Sequence, residues 1–290
     1  MPSILLTGIS TLDIINKVDG YPAEDSEVRA SEQAVRTGGN ACNSAKVLRQ
    51  LGVSVSLLSN TADDLSAVFI LSELNQQKIN LSLCPVENNS FTPTSYITVN
   101  TRNASRTIVH HRQLNELSAS YFNQLILDQF DWLHFEARNC EQLKLMLVHA
   151  AQFKKTISIE IEKPRAHLDN ILDFADVLFI SRPYAESQGF KTPEECLKHF
   201  SGIYPNTIIT CTWGEQGAWA YDTAEIIHQP AYKISKPVET LGAGDTFNAG
   251  FIASRIKNNN VKKSLAFACQ LAANKCQQTD FNNLIIPSQN

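Results

Sequence analysis

Short apolar or β-branched runs alternate with helix-patterned segments along most of this chain, and that alternation restricts it to few architectures. Residues 4–9, 53–59, 132–136, 156–161, 177–181 and 207–212 read as strands. Residues 65–77, 118–127, 141–153 and 193–200 between them read as helices. Repeated β-α units build a mainly parallel sheet with helices on both faces. Such sheets bind ligands beyond the carboxyl ends of their strands. That rule puts Arg138, just past one strand, and residues 160–165, at the end of another, on one rim. Solvated charge is the first reading of Lys163 and Arg165 there.

Two segments break the alternation. Residues 13–33 and 91–112 are polar with short β-like pieces such as Tyr96-Ile97-Thr98-Val99, and they read as strands that leave the main sheet. The chain then divides into an α/β domain of residues 1–12, 34–90 and 113–290 and a small β structure of residues 13–33 and 91–112. By pattern alone the latter are surface hairpins, with Asp13 and Asp25 serving turns or caps.

The stretch Glu239-Thr240-Leu241-Gly242-Ala243-Gly244-Asp245-Thr246-Phe247 sets a carboxylate just behind two glycines at a helix start. Gly242 and Gly244 let the backbone turn sharply and expose N–H groups, and a helix beginning near Asp245 adds its positive end. An anion suits that place, and the helix start is expected to keep Asp245 ionised. A plain strand-to-helix turn with an acidic first-turn residue explains the same letters without chemistry. Near the other end, Gly38-Gly39-Asn40-Ala41-Cys42-Asn43 opens a helix with Asn40 near its cap, Ala41, Ala45 and Leu48 on a buried stripe, and Gly52 closing it. Asn40 and Asn43 lie three apart on one side of the first turn, where two amides suit the hydroxyls of a sugar. A capped helix packed through small residues is the plainer alternative.

Both stretches, in this order, resemble the two signatures of the ribokinase-like (PfkB) carbohydrate kinases. The segments Tyr21-Pro22-Ala23-Glu24-Asp25-Ser26, Glu136-Ala137-Arg138-Asn139 and Ile161-Glu162-Lys163-Pro164-Arg165 are similar to the ketohexokinase branch, and the likeness runs from about Leu5 to about Phe281. The resemblance implies a ribokinase-like α/β fold whose extra strands form a β-sheet lid over the sugar. It implies Asp245 as the base, the Gly242, Ala243 and Gly244 amides as an anion hole, and Arg106 reaching sugar and phosphates. Asp13, Asp25, Gly39, Asn40, Asn43 and Arg138 would hold the sugar. The nucleotide would lie against Trp213, Gly214, Glu215, Gln216 and Gly217, with Cys269 flanking the adenine. ATP with Mg²⁺ is implied, and a monovalent cation is admitted. The implied reaction is phosphorylation of a ketose, fructose to fructose 1-phosphate, with another sugar, a sugar acid or a nucleoside as the alternative acceptor. Pairing of two lids would make a homodimer.

Three positions depart from the family pattern. Glu239 stands where Asp or Asn is usual, Ser105 where Asn precedes the lid arginine, and Ser181-Arg182-Pro183-Tyr184 where the wider family has Asn-x-x-Glu. Glu160 and Glu162 are the substitutes expected to serve the metal.

Other classes fare worse. A net charge of −4 gives no basic field for nucleic acid or an anionic membrane. No run approaches the ~20 apolar residues of a membrane span. None of the 12 glycines precedes Lys, so a P-loop is absent, and Gly8 stands alone where a dinucleotide fold wants three glycines. His110-His111 would point to opposite faces of a strand. The seven scattered cysteines suggest neither disulfides nor zinc, and a cytoplasmic setting follows, with Cys42 and Cys269 as small buried hydrophobes. A non-catalytic sugar-binding regulator is the rival from another class, and it predicts a lost base where Asp245 is present.

Overall fold

The computed structural model describes residues 1–103, 105–234 and 237–284; the expected domain ranges also include residues 104, 235, 236 and 285–290, which lie outside the described residues. In chain order the strands are β1 (Ser3–Thr7), β2 (Thr11–Val18), β3 (Glu32–Gly38), β4 (Ser54–Leu58), β5 (Thr61–Ala62), β6 (Val86–Glu87), β7 (Thr94–Asn100), β8 (Arg106–His111), β9 (Trp132–Glu136), β10 (Thr156–Ile161), β11 (Val177–Ile180), β12 (Ile208–Thr212), β13 (Ala218–Tyr221) and β14 (Ile226–Gln229). The helices are α1 (Asn40–Gln50), α2 (Leu65–Gln76), α3 (Ala119–Phe122), α4 (Cys140–Ala151), α5 (Arg182–Ser187), α6 (Pro193–Ile203), α7 (Ala243–Asn258) and α8 (Val261–Lys275).

The main sheet has eight strands in the order β14-β13-β12-β11-β10-β9-β1-β4. All pairs from β4 to β12 are parallel, and β13 and β14 continue antiparallel at the edge. A parallel strand covered on both faces must be apolar throughout, and β9 buries all five of its residues. One core packs α3, α4 and α6 against the sheet, and the other packs α1, α2, α7 and α8. Every residue of α7 from Asp245 to Ser254 is buried, because α7 lies between α1 and α8 rather than at the surface. The expected stripe on α1 likewise widens to residues 41–48, all buried.

The segment expected to be helical over 118–127 keeps only Ala119–Phe122. Gln124 and Leu125 donate to carbonyls three residues back, and the chain turns so that Phe122 and Leu127, five apart, are both fully buried. A straight helix would point them to different faces.

A second sheet of four strands runs β3-β2-β7-β8. It takes residues 32–38 through β3 and begins at Thr11, whereas the expected division ended the first lid segment at residue 33. The reason is register: β3 pairs with β2 from Lys17↔Glu32 to Thr11↔Gly38, so the strand ends only where Gly39 turns into α1. In β2, Asp13 and Ile15 point one way and Ile14 the other.

Candidate active site

Gly242 adopts φ +75, and the Ala243 N–H donates to the Thr240 carbonyl at 3.2 Å. Positive φ at the third residue with an i→i+3 bond is a type II-like turn, which demands glycine there. A Cβ on Gly242 would also meet the Phe281 ring at 2.2 Å. The Ala243 amide, expected in an anion hole, is thus spent closing the turn. Gly242 and Gly244 keep N–H groups with no backbone partner among the described residues, and a Cβ on Gly244 would meet open space. Helix α7 starts at Ala243, two residues earlier than expected, so Asp245 stands in its first turn.

Asp245 is buried, and its Oδ2 accepts from Asn43 Nδ2 at 2.7 Å. The Ser44 hydroxyl donates to the Asp245 carbonyl at 3.1 Å, which fastens α1 to the start of α7. Burial, then the nearby Glu160, push the Asp245 carboxyl well above the ordinary carboxylate range. That corrects the expectation from the helix dipole: removing a carboxylate from water outweighs the partial charge of a helix end. Among the described residues the buried Asn43 Oδ1 has no hydrogen-bond partner, which leaves an acceptor open to an incoming hydroxyl.

Asn40 begins α1, with Gly39 as its N-cap at φ +99. A Cβ on Gly39 would stand 2.2 Å from the Ile9 carbonyl, so only glycine lets the chain pass. Asn40 Nδ2 donates to Glu160 at 3.1 Å and to Glu162 at 3.4 Å. Asp13 lies over Gly38, accepts from the Thr11 hydroxyl at 2.8 Å, and is raised by burial. Arg138 pairs with Glu116 at 3.2 Å and faces Glu136 at 3.8 Å. The lid strand β8 brings Arg106 to the turn, where its guanidinium donates to Thr240 Oγ1 at 3.2 Å. Asp25 is not brought in: it is exposed in the loop between β2 and β3 at φ +57, with no hydrogen-bond partner among the described residues.

At the far end of the rim, the Trp213 ring is buried in the core under Arg182, whose guanidinium lies 5.3 Å from it, so neither ring face is open to a base. Gly217, at φ +99, has a packing role, since a Cβ there would meet the Gln229 carbonyl at 2.1 Å. Gly214, Glu215 and Gln216 form the surface turn beside them. Cys269 on α8 is buried against the Ala218 backbone, next to that turn, and burial pushes its thiol up to about 12.

Glu160 and Glu162 do not fit a dedicated metal cage. Asn40 donates to one oxygen of each, Lys163 faces the other oxygen of Glu162 at 3.3 Å and His134 that of Glu160 at 3.8 Å, and no group of three or more His, Cys, Asp or Glu among the described residues is set to hold an ion. Ser181, where the family motif would begin, caps α5 and donates to the Glu162 carbonyl at 2.7 Å.

Sequence reading missed three site residues. Glu136 accepts the Ile9 and Ala41 N–H groups at 3.2 and 2.6 Å, and Gly8 is glycine because a Cβ there would lie 2.3 Å from Glu136 Oε1. Burial raises its carboxyl to about 7. A charge ending an apolar strand was its signal. Asn248, buried on α7, lies beside Glu160, and its signal was the i, i+3 spacing from Asp245. Arg36 on β3, which pairs with Glu239 at 3.1 Å, had none.

A carboxylate clamped by an amide, beside unpaired N–H groups at a helix start, is equipped to deprotonate a hydroxyl next to a bound phosphate. Residues 1–288 match the pfkB family carbohydrate kinase. The chain belongs to that family. As a member it is an ATP-dependent carbohydrate kinase. It is 36% identical to the ketohexokinase of Mus musculus, over 97% of this chain and 98% of the mouse protein. The ribokinase of Giardia lamblia shares the fold with a TM-score of 0.84 at 16% identity, over 98% of this chain and 96% of that one. The ribokinase of Cryptococcus neoformans in complex with ADP does so at 0.81 and 18%, over 99% and 97%.

Proposed function

We propose that this kinase phosphorylates a ketose, D-fructose at its 1-hydroxyl, using ATP. The observation that carries the reading is the meeting of Asn43 with Asp245: the helix opened by Gly38-Gly39-Asn40 and the helix opened by the anion turn share one hydrogen bond. Likeness to a ketohexokinase over nearly the whole chain supports the ketose. In this reading Asp13, Asn40 and Asn43 hold the sugar. Asp245 takes the proton of the attacking hydroxyl, and the Asn43 amide fixes the position of its carboxyl group. The unpaired amides of Gly242 and Gly244 and the Arg106 guanidinium face the charge that develops on the transferring phosphoryl group, and ADP leaves. Mg²⁺ accompanies ATP on its phosphates, without a dedicated protein cage.

ADP release measured with D-fructose, D-ribose, D-tagatose, fructose 6-phosphate and adenosine tests the acceptor. Fructose should give the highest kcat/KM. Turnover with phosphorylated sugars alone would overturn the ketose reading and leave the family untouched.

The lid supports a homodimer. Register aligns Val35, Ile14, Tyr96 and Val109 in one row across its four strands, and Val35, Tyr96 and Val109 are 46%, 50% and 65% exposed. Tyr96→Lys should turn a dimer into a monomer in sedimentation, and a monomeric wild-type protein at micromolar concentration would reject the pairing. The free thiols are in keeping with a cytoplasmic site of action, which fractionation of a tagged chain tests.

A further inference from the structure

Arg36 lies on the lid face shared with Glu32 and Ala34, across a cleft from Val238, Glu239 and Thr240. Its Nη1 donates to the two carboxylate oxygens of Glu239 at 3.1 and 3.4 Å and to the Thr279 carbonyl. The side chains are only 21% and 15% exposed, so bulk water screens this pair less than a surface pair. Its charge also reaches Asp13. Two residues beyond Arg36 the strand enters Gly38-Gly39-Asn40, and three residues beyond Glu239 the chain enters Gly242-Ala243-Gly244-Asp245.

Both connections have little slack. Thr37 is gripped by Glu73 through N–H and hydroxyl at 3.3 and 2.8 Å, and the buried Lys46 ammonium donates to the Thr37 carbonyl at 3.1 Å. Gly39 is pressed against Ile9. On the other side the Thr240–Ala243 bond and the Phe281 ring fix the turn. A shift of the β3 end on one side is therefore delivered to the turn rather than lost in a loose loop. The length of Glu239 matters for the same reason. The Asp usual at this motif position is shorter by one C–C bond, about 1.5 Å, and would not span the cleft.

We propose that Arg36 and Glu239 form a strut that couples occupancy of the Gly38-Gly39-Asn40 segment by the acceptor to the geometry of the anion turn, both being positioning residues for phosphoryl transfer. The proposal rests on the kinase reading but not on which sugar is used. The coupling is reciprocal, so it is read at the nucleotide.

The test titrates a non-hydrolysable ATP analogue, adenylyl imidodiphosphate, by calorimetry with and without a saturating acceptor. D-fructose is the acceptor, replaced by whichever of ribose, tagatose or adenosine the wild-type enzyme phosphorylates better. In the wild type the acceptor should tighten the analogue at least about five-fold. Arg36→Gln and Glu239→Gln should each bring that ratio close to one, and the double variant should lose no more than either single one. Glu239→Asp should behave like Glu239→Gln, while Arg36→Lys keeps part of the ratio. Analogue affinity without acceptor should stay within about two-fold of wild type in all of them. A wild-type ratio near one, an unchanged ratio in the single variants, additive losses in the double variant, or an equal weakening with and without acceptor would each overturn the strut. Failure of the fructose assignment shows separately, as preference for another acceptor.

Discussion

Strands β8 and β9 are near neighbours in the chain, and they belong to opposite worlds. Strand β8 exposes all six of its residues, from Arg106 to His111, while β9 buries all five of its own, from Trp132 to Glu136. Each delivers charge to the same site. β9 ends on Glu136, held by two backbone N–H groups, and β8 offers Arg106 through one hydrogen bond to Thr240. The difference separates what must be rigid from what must arrive. The buried acids at the rim are fixed by partners in the core, Glu136 by two N–H groups, Asp245 by Asn43 and Glu160 by Asn40, whereas a cation on a two-faced lid can approach and withdraw with little loss of packing.

Changes at Asp245 and Arg106 should divide along that line. Asp245→Asn should cut kcat by about 10³-fold or more while analogue binding stays nearly intact. Arg106→Ala should cut kcat by about 10²-fold with an unchanged melting temperature. A near-normal rate in the first, or a large loss of stability in the second, would break the division.

Stability offers a sharper contrast. Phe251, fully buried and stacked edge-on to Phe179 at 5.6 Å, should cost about 3–5 kcal/mol when cut to Ala, as read by denaturant unfolding. Val109→Ala, 65% exposed on the lid, should stay within about 0.5 kcal/mol. Equal costs would mean that lid and core unfold as one packed body.

The smallest expected effect concerns protons. Burial raises Glu160 to about 8 and Glu136 to about 7, from an ordinary value of 4.5. The folded enzyme therefore holds protons that the unfolded chain would release above 4.5. The stabilisation is complete below that pH and declines as pH rises through 7 to 8. The melting temperature of the unliganded enzyme should fall over this range, and Glu160→Gln should lessen the fall by about 2–4 °C. No such fall should follow changes among the exposed lid residues, and an identical pH profile in Glu160→Gln would remove Glu160 as its source.

Much of this was legible beforehand, and unevenly. All six expected strands lie in the main sheet, since β-branched runs bounded by turns leave few other options. Asn40, Asn43 and Asp245 were found through motif letters and Asp13 through the resemblance; Asn43 meets Asp245, Asn40 meets Glu160, and Asp13 lies over Gly38. The length of α3 and the end of β3 were not legible, because a turn pattern and a strand register decided them. Asp25 was named by resemblance and stays in solvent, because no spacing rule says how a loop of the β2–β3 hairpin folds back.

By itself the sequence determined the parallel sheet, the rim and the two glycine-led helices, because periodicity and backbone permissiveness are local properties. Only the tertiary structure decided which charges meet. It set Glu136 behind Gly8, spent the Ala243 amide on a turn, and joined Arg36 to Glu239, residues some two hundred positions apart. Such pairs depend on burial and on distances across the fold, and burial also settles whether Asp245 keeps or yields its proton.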